Sequence, residues 1–116
     1  MVTLGMNGPY VLEDREVSRQ VNRTSPGNYG LGYIKEDGSF VVQFVGRSDY
    51  DVNNRLQSWV SSGYKYFKYS YASHAKAAFD KECCTYHDFG ANEKLDNKSH
   101  PERAAGTRWK CPVCGK

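Results

Sequence analysis

The stretch SHAKAAFDKECCTYHDFG, residues 73–90, sets chemically capable side chains in a helical pattern. Ala75, Ala78, Phe79, Tyr86 and Phe89 recur at three- and four-residue steps and therefore share one face. At about 100° per residue, Glu82 falls in the centre of that apolar stripe, with Tyr86 one turn beyond. A carboxylate aimed at a core needs a counter-charge, either a metal ion or an ion pair. Arg55 is one candidate partner, since it borders a second apolar stripe and can lean over the edge of the core. Glu82 thus predicts either a metal site or a buried Glu82–Arg55 pair.

A second group of metal-ligand type surrounds the same helix. The chain holds four cysteines, an adjacent pair at Cys83 and Cys84 and a Cys-x-x-Cys at Cys111 and Cys114. Cys111-Pro-Val-Cys114-Gly has the form of a zinc knuckle, which supplies two of four tetrahedral ligands. Cys83 and His87 lie four apart on the helix flank, about 40° apart in projection. Cys84 and His87 lie three apart. The expected site is a structural zinc held by Cys83, His87, Cys111 and Cys114, with Cys84 as the alternative first ligand. His100, before Pro101, reads as a loop residue.

These groups need elements to position them. NYGLGYI (28–34) and SFVVQFVG (39–46) are β-rich and separated by KEDG, whose Asp37-Gly38 is a hairpin signal. Tyr29, Leu31 and Tyr33 share a strand face by the period-two rule. RSDYDVNNRLQSWVSSG (47–63) reads as a helix capped at Ser48 or Asp49 and stopped at Gly63. Its apolar stripe is Val52, Leu56, Trp59 and Val60. A third strand spans 64–71, and the helix carrying Glu82 follows, with Ser73 as its N-cap. Ahead of the hairpin, a short helix is expected around Glu13 to Gln20. The predicted order is ββαβα, a small α/β domain with a three-stranded, mainly antiparallel sheet flanked by helices. Residues 1–24 form a leader packed on the domain, 25–97 the core, and 98–116 a tail stapled by zinc.

Ser25-Pro26-Gly27-Asn28-Tyr29, then Gln43-Phe44-Val45-Gly46-Arg47-Ser48, then Asn53-Asn54-Arg55-Leu56 resemble the signature of the GIY-YIG nuclease superfamily. Gly27-Asn28-Tyr29 resembles its first motif, in the P-G-x-Y form seen in the nuclease subunit of bacterial excision repair. Phe44-Val45-Gly46 resembles its second motif, Arg55 the helical arginine and Glu82 the metal ligand. The resemblance covers residue 25 to about residue 97 and departs at Phe44, where the family usually has tyrosine. The hairpin is longer than the family's usual interval, and counting that interval back from Phe44 lands on Tyr33, so Tyr33 stands in reserve to Tyr29.

The resemblance implies an Mg²⁺- or Mn²⁺-dependent endonuclease acting on DNA. Glu82 would hold the cation, whose Lewis acidity serves the phosphate and the leaving oxygen. Arg55 would fork onto phosphate oxygens. Tyr29 would accept or relay the proton of the attacking water, provided that Arg47 and Arg55 depress its phenol. Arg47 sits where relatives often carry a basic residue after the glycine. The family also often carries an asparagine after the glutamate helix that steadies the site, here Asn97 or Asn92.

Composition constrains partners less. The formal net charge is +3, which permits a polyanionic partner without requiring one. No run approaches the roughly 18–20 apolar residues of a membrane span, and no export signal is read, so the expected location is cytoplasmic. The cysteine pattern in that setting favours metal over disulfides. Two other classes stay open: a nuclease-derived nucleic-acid-binding module without turnover, and a zinc-stapled protein-interaction domain with a tyrosine-rich surface. Tyr64, Lys65, Tyr66, Lys68 and Tyr69 would serve the former by stacking bases beside phosphate-pairing lysines. RNA in place of DNA, and a targeting partner or self-association, fit the same reading.

Overall fold

The hairpin forms at Asp37-Gly38. The computed structural model describes residues 4–116. In it Gly38 takes a left-handed φ of 88°, and its N–H donates to the Lys35 carbonyl at 2.9 Å. Asp37 Oδ1 accepts from the Ser39 backbone N–H at 2.9 Å, closing the turn. The strands on either side are β2 (Gly27–Ile34) and β3 (Phe40–Ser48), with β1 at Asn7–Val11 and α1 at Asp14–Gln20 preceding them. After β3 come α2 (Val52–Gln57), β4 (Tyr66–Tyr71), α3 (Ala75–Asp88) and α4 (Ala91–Lys94).

The fold is α+β with one antiparallel sheet in the order β1-β4-β2-β3. Four strands replace the three expected, because the leader supplies β1 against the outer side of β4. That strand carries Gly8-Pro9, and proline is tolerated at a sheet edge where no partner needs its missing N–H. Strand β4, expected as a sheet strand with base stacking as its alternative use, lies between β1 and β2 with Phe67 and Tyr69 buried.

The second helix is shorter than expected. Arg47 and Ser48 remain in β3, paired with Asn28 and Gly27, so the helix cannot begin there. Asp51 is the cap, its Oδ1 accepting from the N–H groups of Asn53 and Asn54 at 3.1 and 3.4 Å. Ser48 Oγ instead accepts from Asp51 N–H at 3.0 Å and holds the link between strand and helix. At α3 the cap is His74, not Ser73: its Nδ1 accepts from Ala77 N–H at 3.1 Å.

Strand parity sorts the core into two layers. Tyr29, Leu31, Phe67 and Tyr69 face Val17 of α1, Val21 just after it, and Val52 and Leu56 of α2. On the opposite face, Val45 packs with Tyr86 and Leu95. Phe79, Cys83 and Cys111 form a further small cluster under Trp109. Burying each large apolar side chain contributes roughly 1.5–3 kcal/mol. Among the described residues no helix is long and apolar enough to cross a membrane.

Candidate functional site

Strand β3 ends the sheet, and beyond its last residues lies a cleft of about 570 Å³. Tyr29, Gly46, Arg47, Arg55, Trp59 and Glu82 all contribute to its walls. They arrive from both faces. Tyr29 and Gly46 are cross-strand partners on the α1/α2 side, whereas Asn28 and Arg47, also partners, alternate onto the α3 side. The cleft therefore draws on both layers at the place where the sheet stops.

Glu82 does point inward, as the helical period predicts, and its side chain is 10% exposed. Its partner is Arg47 rather than Arg55: Arg47 Nη1 donates to Glu82 Oε1 at 2.7 Å. Arg47 Nε donates to Asp49 Oδ1 at 2.8 Å, and the guanidinium lies over the Phe79 ring at 5.1 Å. The physical reason is strand length. Because β3 runs on to Ser48, Arg47 projects onto α3, while Arg55 stays on the other layer. Burial pushes the Glu82 carboxyl up, and the Arg47 hydrogen bond and charge pull it back without cancelling the rise. Burial alone would lower the Arg47 guanidinium, but Asp49 and Glu82 outweigh it and hold it above its usual value. Among the described residues no protein donor reaches Glu82 Oε2.

Tyr29 is buried, and its hydroxyl accepts from the Trp59 indole N–H at 2.8 Å. The ring crosses β3 at Gly46, where any Cβ would collide with the Tyr29 ring and hydroxyl. This is why glycine stands opposite Tyr29 in the ladder of β2 and β3. Burial raises the Tyr29 phenol; Trp59 and the Arg55 charge act in the opposite direction, and the net shift is upward. The expected depression by cations is thus present in kind but does not prevail, and the resting phenol is neutral. Tyr33 shares the strand face but is 41% exposed and is not among the cleft's lining residues. Arg55 lines the cleft, and among the described residues no carboxylate pairs with it.

Asn97 is buried outside the cleft. Its Oδ1 accepts from Val45 N–H at 3.0 Å and its Nδ2 donates to Val45 C=O at 2.8 Å. It closes the outer edge of β3 one residue before Gly46 and so steadies the strand that carries Gly46 and Arg47. Asn92, the alternative, is exposed on α4. The tail adds a wall that sequence reasoning missed, Glu102, Arg103 and Ala104.

The ligand atoms of His87, His100, Cys111 and Cys114 lie within 4.8 Å of one another and can hold a metal ion. His100 takes the place expected for Cys83. Its Nδ1 lies 2.8 Å from the Pro101 carbonyl, which fixes the tautomer that leaves Nε2 free, 3.3 Å from Cys114 Sγ. His87 Nε2 is buried without a hydrogen-bond partner, as a nitrogen aimed at a ligand position would be. Burial would push the Cys111 thiol up, but the backbone N–H groups of Cys114 and Val113, with His100 and Cys83, hold it at about 6. Cys83 packs between Phe79 and Cys111, where burial pushes its thiol up and its S–H bonds Cys111. It supports a ligand without being one of the four. One signal for His100 was in the chain: only three histidines exist, and His74 caps α3.

Comparison with protein-family models, with curated proteins and with solved structures returned no match.

Proposed function

We propose that the cleft is a metal-dependent phosphodiesterase centre of GIY-YIG type acting on nucleic acid, DNA in the first instance. One observation carries this reading. A buried glutamate with one oxygen unclaimed by any protein donor shares a cleft with three arginines and a strand phenol. The second oxygen, Oε2, is not one of the buried atoms left without a partner, so it faces the cleft and is open to a ligand.

Glu82 Oε2 is the donor that would hold a divalent cation, and Mg²⁺ needs only one or two carboxylates besides water. When bound, Mg²⁺ or Mn²⁺ supplies Lewis acidity to a phosphate oxygen and a leaving oxygen. Arg55 grips non-bridging phosphate oxygens as a planar fork, and Arg47 holds Glu82 in place. In the hydrolysis a water oxygen bonds to phosphorus, one P–O ester bond breaks, and the water's proton passes to the Tyr29 phenolate. The leaving oxygen takes a proton from solvent. Tyr29 must first lose its own proton to solvent, so activity rises with pH.

The Glu82–Arg47 contact favours a second reading, a nucleic-acid-binding module in which the acid is neutralised internally and no turnover occurs. Plasmid DNA incubated with Mg²⁺, with Mn²⁺ and with EDTA separates the two. Metal-dependent nicking supports the first; salt-dependent binding without nicking supports the second.

The His87, His100, Cys111 and Cys114 group is best read as a structural zinc site. Two thiolates and two imidazoles suit tetrahedral zinc, and four protein ligands leave no open position for catalysis. Elemental analysis should find about one zinc per chain, lost in Cys111→Ser.

A further inference from the structure

We propose that Trp59 is a positioning residue for Tyr29, its indole N–H fixing which way the phenol presents its lone pair and its proton. This rests on reading the cleft as a phosphodiesterase centre.

An indole nitrogen only donates, so the 2.8 Å contact from Trp59 Nε1 must end on a lone pair of the Tyr29 oxygen. The phenol's own proton then points away from Trp59. A donor fixed on that oxygen also favours phenolate over phenol, because it bonds the charged form more strongly. The indole itself is held on two sides. Phe44 packs against it at 4.7 Å between ring centroids, and Tyr64 meets it edge-on at 5.9 Å. Its backbone N–H donates to Leu56 C=O at 2.9 Å, in the turn that ends α2. Helix α2, just before that turn, carries Arg55, whose charge also acts on Tyr29. Helix α2 and the turn that closes it thus deliver a cation and a donor to one oxygen. Phe44 offers only a ring at this place, so the indole supplies the one neutral N–H donor to that phenol.

Trp59→Phe removes the donor and keeps the aromatic packing. Its nicking rate should fall about ten- to hundredfold at every pH tested, with KM little changed and the slope of rate against pH retained. Because a smaller folded fraction would scale the profile down in the same way, the rates are compared per folded protein, measured by circular dichroism. The hydrogen bond is read separately in ¹⁵N-tryptophan-labelled protein, where Trp59→Phe assigns one of two indole resonances. Tyr29→Phe should move the Trp59 resonance upfield and speed its exchange with solvent. An indole resonance indifferent to Tyr29→Phe overturns the proposal, as does Trp59→Phe nicking at the wild-type rate. Wild type that never nicks defeats the catalytic role together with the reading of the cleft, and the indole measurement alone then shows whether the bond exists.

Discussion

Glu82 and Arg47 form a pair whose side chains are 10% and 11% exposed, so removing one partner strands a charge. Arg47→Met should therefore destabilise the domain by about 3 kcal/mol in urea unfolding. Combining it with Glu82→Met should recover much of that loss, since the stranded charge disappears. If Arg47→Met is neutral, the pair contributes nothing to folding. The Tyr29 phenol, raised by burial, makes a different prediction. Below its pKa the phenolate fraction grows tenfold per pH unit, so nicking should rise with pH through 7–9 at nearly that slope. A flat profile would remove Tyr29 as the base. Glu82 was legible because its inward placement depends only on a local 3.6-residue period. Its partner was not, because Arg47 against Arg55 turns on how far a strand runs before the helix begins.

At the scale of elements, the site depends on β3 ending the sheet in a fixed register. Gly46 lets Tyr29 cross the strand, and Asn97 locks the strand edge through both polar groups of Val45. Gly46→Ala should cost about 1–3 kcal/mol through overpacking against Tyr29, and it should reduce nicking by displacing that ring. Asn97→Ala should cost about 2–4 kcal/mol, because a buried N–H and a buried C=O lose their partner together. Thermal unfolding checks both, and an unchanged midpoint in Asn97→Ala would mean that the edge is held by something else. The hairpin was readable from Asp37-Gly38, a local turn signal. Strand β1 was not: its residues include Gly8 and Pro9, and only pairing with β4, some sixty residues away, makes them a strand. Likewise Ser48 and Asp49 have good cap chemistry, yet the ladder to Gly27 and Asn28 claims the backbone there first.

At the scale of the whole molecule, the tail connects two sites. His100 belongs to the metal-ligand group, and Glu102–Ala104, two to four residues on, line the cleft. If zinc fills that group, its removal should free residues 98–116, raising amide exchange there while the sheet stays protected. Exchange that is equal with and without chelator would show that the tail needs no metal. Cys-x-x-Cys and His87 were legible as ligand candidates; that His100 and not Cys83 stands fourth depended on how the chain returns across α3, which no local pattern encodes. The role of Glu82 is tested by plasmid nicking with wild type and Glu82→Gln in Mg²⁺, Mn²⁺ or EDTA. Wild type should nick only with metal, and Glu82→Gln, still folded by circular dichroism, should lose about a thousandfold. Nicking by Glu82→Gln at the wild-type rate, or none by wild type with either metal, would contradict that role.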